Sequence, residues 1–154
     1  YREKYMLYYL LAIIAGTTVS SQVAINGKLL HYLGSPILTS LISFVVGTVG
    51  LAVLYFVSAY YGLEKVPDLS ALKQTSFWMW TGGLLGAFYI FTSVFVAPKI
   101  GFANLFSLIV AGQIILALVF DHFGLLTGQP HLTSSMRTVG VAFLVIGVYL
   151  IQNN

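Results

Sequence analysis

Charge is what this sequence lacks most. Only 7% of its 154 residues are Asp, Glu, Lys or Arg, against about 25% in an ordinary soluble domain. Hydrophobic residues make up 58%, and the mean hydropathy is +0.93. A chain of that balance cannot cover a water-facing surface, so an integral membrane protein is expected. Cysteine is absent, which excludes disulfides, thiolate metal sites and thiol nucleophiles together. The few histidines and acids form neither H-E-x-x-H nor G-x-S-x-G, so the sequence predicts no enzyme activity, no cofactor and no metal. The net charge of +3 comes from seven scattered Lys and Arg. Without a basic cluster, nucleic acid is not an expected partner.

Long apolar runs are what the sequence has instead. Runs able to cross about 30 Å of hydrocarbon at about 1.5 Å per residue occur at 6–30, 36–61, 77–97, 102–121 and 133–151. The prediction is all-α: a bundle of five transmembrane helices forming a single membrane domain over 1–154, without internal repeat. The N-terminal YREKYMLYYLLAIIAG is basic, then apolar, like the start of a secretory signal. No small-x-small cleavage site follows, so it reads as a first span that stays in place. HYLGSP places Ser35 at an N-cap and Pro36 at the first helical position, Pro98 and Gly101 mark a tight reversal, and Thr133 or Ser134 caps the last helix. In the one long connection, residues 62–76, Pro67 to Gln74 suit a short interfacial helix ahead of Trp78 and Trp80, which suit the headgroup level.

Polar residues inside these spans are the functional signal. The first span holds Thr17, Thr18, Ser20, Ser21, Gln22, Asn26 and Lys28, leaving a narrow apolar strip at Val19 and Val23, and is therefore not expected to face lipid. Thr18, Gln22 and Asn26 stand at i, i+4, i+8 and would present one row to a neighbouring helix or a cavity. Interhelical hydrogen bonding and ligand binding both fit that row. In the third span Tyr89 and Ser93 follow Gly86 and offer a polar, aromatic edge to a pocket. In the fourth, Gln113 and Asp121 share a face about 12 Å apart along the axis. Asp121 sits where the negative end of the helix dipole disfavours it. It either fastens the turn after the helix or is a titratable site at a water-filled entrance, with His122 beside it. Ser43 with Gly47, Gly82 with Gly86, and Gly140 with Gly147 have spacings that suit close helix packing.

The runs QVAINGKLLHYLGSPILTSLISFVVGT, WMWTGGLLGAFYIFTSVFVAPKIG and AGQIILALVFDHFG together resemble the YdcZ family, the five-span members of the drug/metabolite transporter superfamily, over essentially the whole chain. The resemblance implies a bacterial inner-membrane exporter of small molecules. Gln22, Asn26, Gln113, Asp121 and His122 match the family's polar motif positions. Proton-coupled small multidrug transporters carry a glutamate in mid first span, and this chain has none there.

Five spans put the two chain ends on opposite sides of the membrane, so a fused second copy would be inverted. Larger drug/metabolite transporters look like that product, and the chain is expected to be half of a ten-helix inverted-repeat architecture. A homodimer, antiparallel included, or pairing with an inverted paralogue follows. Arg2, Lys4, Lys65, Lys73 and Arg137 fall on the N-terminal side, Lys28 and Lys99 on the other, which favours a cytoplasmic N-terminus. The expected function is secondary transport of a small organic substrate by alternating access. Gln22, Asn26, Tyr89, Ser93 and Gln113 would bind the substrate, and Asp121 and His122 would serve proton or ion coupling. The alternative is a non-transporting interaction subunit whose polar residues only join helices.

Overall fold

The computed structural model describes residues 2–64, 68, 70, 73–125 and 134–153. Every expected span is a helix: α1 (Arg2–Leu33), α2 (Pro36–Tyr60), α3 (Gly82–Ile100), α4 (Phe102–Phe123) and α5 (Ser135–Gln152), with a 3-10 segment, Phe77–Thr81, leading into α3. All five spans are long and apolar enough to cross a membrane, and no strand occurs among the described residues. Large apolar side chains point outward along every span, as Leu51, Phe56, Leu84, Leu116 and Phe143 do. This is the reverse of a soluble core and is what a lipid solvent selects.

Two compact units divide the chain, residues 1–95 and 96–154. In the first, α1 packs on α2 across a two-residue connection. Ser35 caps α2 as the sequence predicts, its hydroxyl accepting the Leu38 N–H at 3.2 Å with Pro36 in the first turn. The interior of this unit mixes apolar Val23, Ile90 and Val94 with polar Asn26, Thr39, Ser40 and Ser93, all buried. Of the glycines in the small-residue pairs, only Gly86 has a close neighbour among the described residues. A Cβ there would stand 3.4 Å from Phe44 Cζ, whereas one on Gly47, Gly82, Gly140 or Gly147 would meet nothing within 4 Å.

In the second unit α4 packs on α5. Gly124, at φ 61, ends α4. Its N–H donates to Asp121 O at 3.2 Å while the Leu125 N–H donates to Phe120 O at 3.1 Å, the paired bonds of a Schellman ending. Ser134 is the cap of α5, accepting the Arg137 N–H at 3.3 Å.

Two expectations change. Pro98 lies inside α3 and does not end it. Proline removes one N–H, but its fixed φ is helical, so the last turn runs on. The break falls on Gly101, whose φ 85 and ψ 155 belong to a region open essentially to glycine alone. The polar girdle of α1 also behaves differently from the expectation. Thr17 and Thr18 donate to Ile14 O and Ala15 O, and Ser20 and Ser21 to Gly16 O and Thr17 O. Hydroxyls satisfied by their own helix need no neighbour, and Thr17, Thr18 and Ser21 are exposed. Val23, on the apolar strip, is instead the fully buried residue. The proposed short helix at Pro67–Gln74 lies largely outside the described residues. Of those that are described, Asp68 accepts from the Ser70 N–H and hydroxyl at 3.3 and 2.8 Å.

Candidate functional site

The polar centre of the first unit is a three-residue cluster. Gln22 Nε2 donates to Ser43 Oγ at 3.2 Å and Asn26 Nδ2 donates to the same oxygen at 3.1 Å. Spacing on α1 explains the convergence, since residues four apart lie one above the other on one face. Thr18, the third member of the expected row, bonds to its own helix and stays out of the cluster. Asn26 is 5% exposed, so its amide is withdrawn from lipid. Both N–H donors converge on one hydroxyl, and the side-chain carbonyl oxygens of Gln22 and Asn26 accept no hydrogen bond among the described residues. The cluster is uncharged, with acceptors to spare.

Tyr89 and Ser93 lie on α3 in the same unit. Ser93 is fully buried, and its hydroxyl finds no partner of hydrogen-bonding geometry among the described residues. Such a group costs about 1–3 kcal/mol unless something satisfies it. Tyr89, one turn back on the same face, is half-buried. On the flank between α2 and α3 a groove of about 520 Å³ opens, lined by Ile37, Ser40, Leu41, Phe44, Phe88 and Phe91. Ser40 is spoken for, its hydroxyl donating to Pro36 O at 2.8 Å.

Gln113, Asp121 and His122 belong to the second unit. Gln113 is exposed on α4 and makes no hydrogen bond among the described residues. Asp121 Oδ2 accepts from Arg137 Nη1 at 3.2 Å, an ion pair whose side chains are about half-exposed. Each charge stands at the helix end that disfavours it, the carboxylate in the last turn of α4 and the guanidinium in the first turn of α5. Pairing cancels both penalties, so the aspartate has a structural partner that sequence alone did not name. His122 is exposed and meets the Phe123 ring edge-on, centroids 5.1 Å apart. Along the N-terminal half of α4, α4 and α5 leave a second groove of about 700 Å³ between Ala103, Phe106 and Val110 on one side and Gly140, Phe143 and Gly147 on the other.

Ser43 is the site residue that the sequence reading missed. Its spacing to Gly47 marks it as a packing residue, and only its position opposite Gln22 and Asn26 makes it their shared acceptor. The usable signal was the pair of amides one turn apart, which required a partner on a neighbouring helix.

The family described as "Putative inner membrane exporter, YdcZ" matches residues 7–150. Comparison with curated proteins and with solved structures gives no match. The match covers all five helices, including Gln22, Asn26 and Ser43 and the Asp121–Arg137 pair, and the chain belongs to the YdcZ family of drug/metabolite transporters, a multi-pass protein of the inner membrane.

Proposed function

We propose that the chain is a secondary transporter that moves a small organic solute by alternating access and has no enzymatic step. The carrying observation is the Gln22–Asn26–Ser43 cluster. Uncharged amides in the interior of a membrane-spanning unit are costly without partners, and a solute path, besides a bond between helices, is a reason for them to be there. In this reading Gln22 and Asn26 bind the solute by hydrogen bonds, Tyr89 supplies an aromatic wall, Ser93 adds a hydroxyl, and Gln113 contributes from α4. The working form is a pair of chains, two copies or one copy with an inverted paralogue, with the N-terminus of this chain in the cytoplasm. Exposed Gln113 and the open groove between α4 and α5 support pairing. An amide in hydrocarbon needs a partner, and small residues let a foreign helix approach.

The test is solute-dependent current or uptake in liposomes, with a panel of neutral and cationic metabolites. Gln22→Leu and Asn26→Leu are expected to lower flux at least about tenfold, the worth of a hydrogen bond made to a buried group, with folding and pairing retained. Unchanged flux in both variants would remove the cluster from the path. A second reading, a non-transporting interaction subunit, is favoured by the convergence of both amides on Ser43, which by itself would join α1 to α2. It predicts weaker assembly in the same variants and no solute movement by the native chain.

Asp121, with His122 beside it, is the coupling group in this proposal. Its half-exposure gives protons access, while the bond to Arg137 supports a fastening role instead. The two roles separate experimentally, at the level of single residues.

A further inference from the structure

Gln113 stands at the centre of α4, eleven residues after Phe102 and ten before Phe123. At about 1.5 Å per residue it lies about 15 Å from either end of the helix, so an α4 that crosses the bilayer carries it to the midplane. Its side chain is exposed and makes no hydrogen bond among the described residues. Lipid tails offer neither donor nor acceptor, so a carboxamide at that depth has to be satisfied by another polar group. Along α4, Phe106, Gln113 and Phe120 follow one another at seven-residue intervals. Such a row drifts by only about 20° per interval, and the amide sits midway between two aromatic rings. Phe106 is also part of the groove between α4 and α5, so the row continues that wall along α4. Across the groove stand Gly140 and Gly147, where an added Cβ would meet nothing within 4 Å. No ionisable side chain lines the groove, and an apolar flank with two open glycines lets another helix approach closely.

We propose that this flank is the seam between two copies of the chain, and that the Gln113 carboxamides of the two copies hydrogen-bond reciprocally across the two-fold axis. The proposal deepens the paired form of the transporter reading and rests on it. Chemistry, symmetry and depth all select a second copy as the occupant. A carboxamide is its own complement, since it both donates an N–H and accepts one. A residue on a two-fold axis has to be its own partner, and glutamine can be. In an antiparallel pair, whose axis lies in the membrane plane, only midplane residues stay level with their own copies. In a parallel pair every residue does. Gln113 therefore meets itself in either arrangement. The reciprocal pair uses one N–H and one lone pair of each amide, which leaves a second N–H on each copy for the solute.

The chain has no cysteine, so single-cysteine variants report one position each. The experiment is thiol bridging by dibromobimane in lipid vesicles holding the full chain at graded dilution, read on a denaturing gel. Gln113→Cys should bridge copy to copy. Ile115→Cys should not, because Ile115 is exposed at nearly the same depth but lies about 160° round the helix. Phe106→Cys and Phe120→Cys keep the amide and cover the case in which Gln113→Cys fails to fold. Each should bridge to itself in a parallel pair, and the two to each other in an antiparallel one. Adding Gln113→Leu to these variants should raise the protein density needed for half-maximal bridging about tenfold. Bridging through Ile115→Cys in place of the other three overturns the proposal. So does bridging at Phe106 and Phe120 that Gln113→Leu leaves unchanged, or a chain that stays monomeric at every density, which gives the flank to lipid or to a different protein. Solute flux from chains that do not bridge along this row removes the seam and leaves the transporter reading standing; bridging that depends on Gln113, without flux of any solute, does the reverse.

Discussion

Asp121 and Arg137 each stand at an unfavourable helix end and correct each other. An exposed pair of this kind contributes about 0.2–1 kcal/mol, and each partner carries a dipole penalty of about 0.3–1 kcal/mol that the other relieves. If fastening is its whole role, Asp121→Asn and Arg137→Gln should lower thermal stability by similar small amounts, and the double variant by no more than either alone. The pH profile of flux should then stay where the native chain has it. If Asp121 couples transport to protons, Asp121→Asn should flatten that profile and Arg137→Gln should leave a pH dependence in place. Circular dichroism melts and flux at several pH values read the two together. The sequence showed that the aspartate needed an explanation beyond its own helix, because its place relative to the dipole could be read directly. It did not show the partner, because Arg137 is sixteen positions away, on the next helix. The same asymmetry holds at Gln22 and Asn26, whose need for a partner was legible from their apolar surroundings and whose partner, Ser43, was not.

Helix ends carry their own local signals, which is why the elements matched closely. Ser35 followed by Pro36 and the serines before Met136 are each read correctly from a few neighbouring residues. Pro98 misled because proline disfavours a helix without forbidding its last turn, and the stronger stop, Gly101, follows three residues later. The self-bonding of the α1 hydroxyls was also out of view, since a list of polar residues does not say which satisfy themselves. Substitution at the caps should follow the geometry. Ser35→Ala should cost about 0.5–2 kcal/mol by losing the bond to the Leu38 N–H. Gly124→Ala should cost about 1 kcal/mol or more, because its left-handed backbone strains any residue with a Cβ. Both are expected to leave substrate preference unchanged, and melting in detergent alongside ligand binding checks the pair.

For the whole molecule, the five-span count and the membrane class were written in the composition, because a bilayer imposes its length and its polarity on every span. What composition could not convey is which surfaces meet another protein and which meet lipid, since both are apolar. Gln113 separates the two cases. If its face of α4 is covered by a second chain, Gln113→Leu should shift the chain from dimer toward monomer by about tenfold in dissociation constant, since interhelical bonds in membranes are worth about 0.6–2 kcal/mol. Single-molecule photobleaching in vesicles at graded dilution reads that shift directly. An unchanged dimer fraction would assign the face to lipid or to the solute path.

The bonds from Gln22 and Asn26 to Ser43 also fix an order of events during synthesis. The acceptor lies 21 and 17 residues downstream of its donors, so α1 leaves the ribosome with two amides whose partner has not yet been made. The hydroxyls of α1 are self-sufficient and can enter hydrocarbon at once; the amides cannot do so cheaply. The first helix is therefore expected to stay at the insertion machinery until the second has emerged, the two entering the bilayer as one unit, and crosslinking of ribosome-bound chains of increasing length to the insertion machinery checks that order.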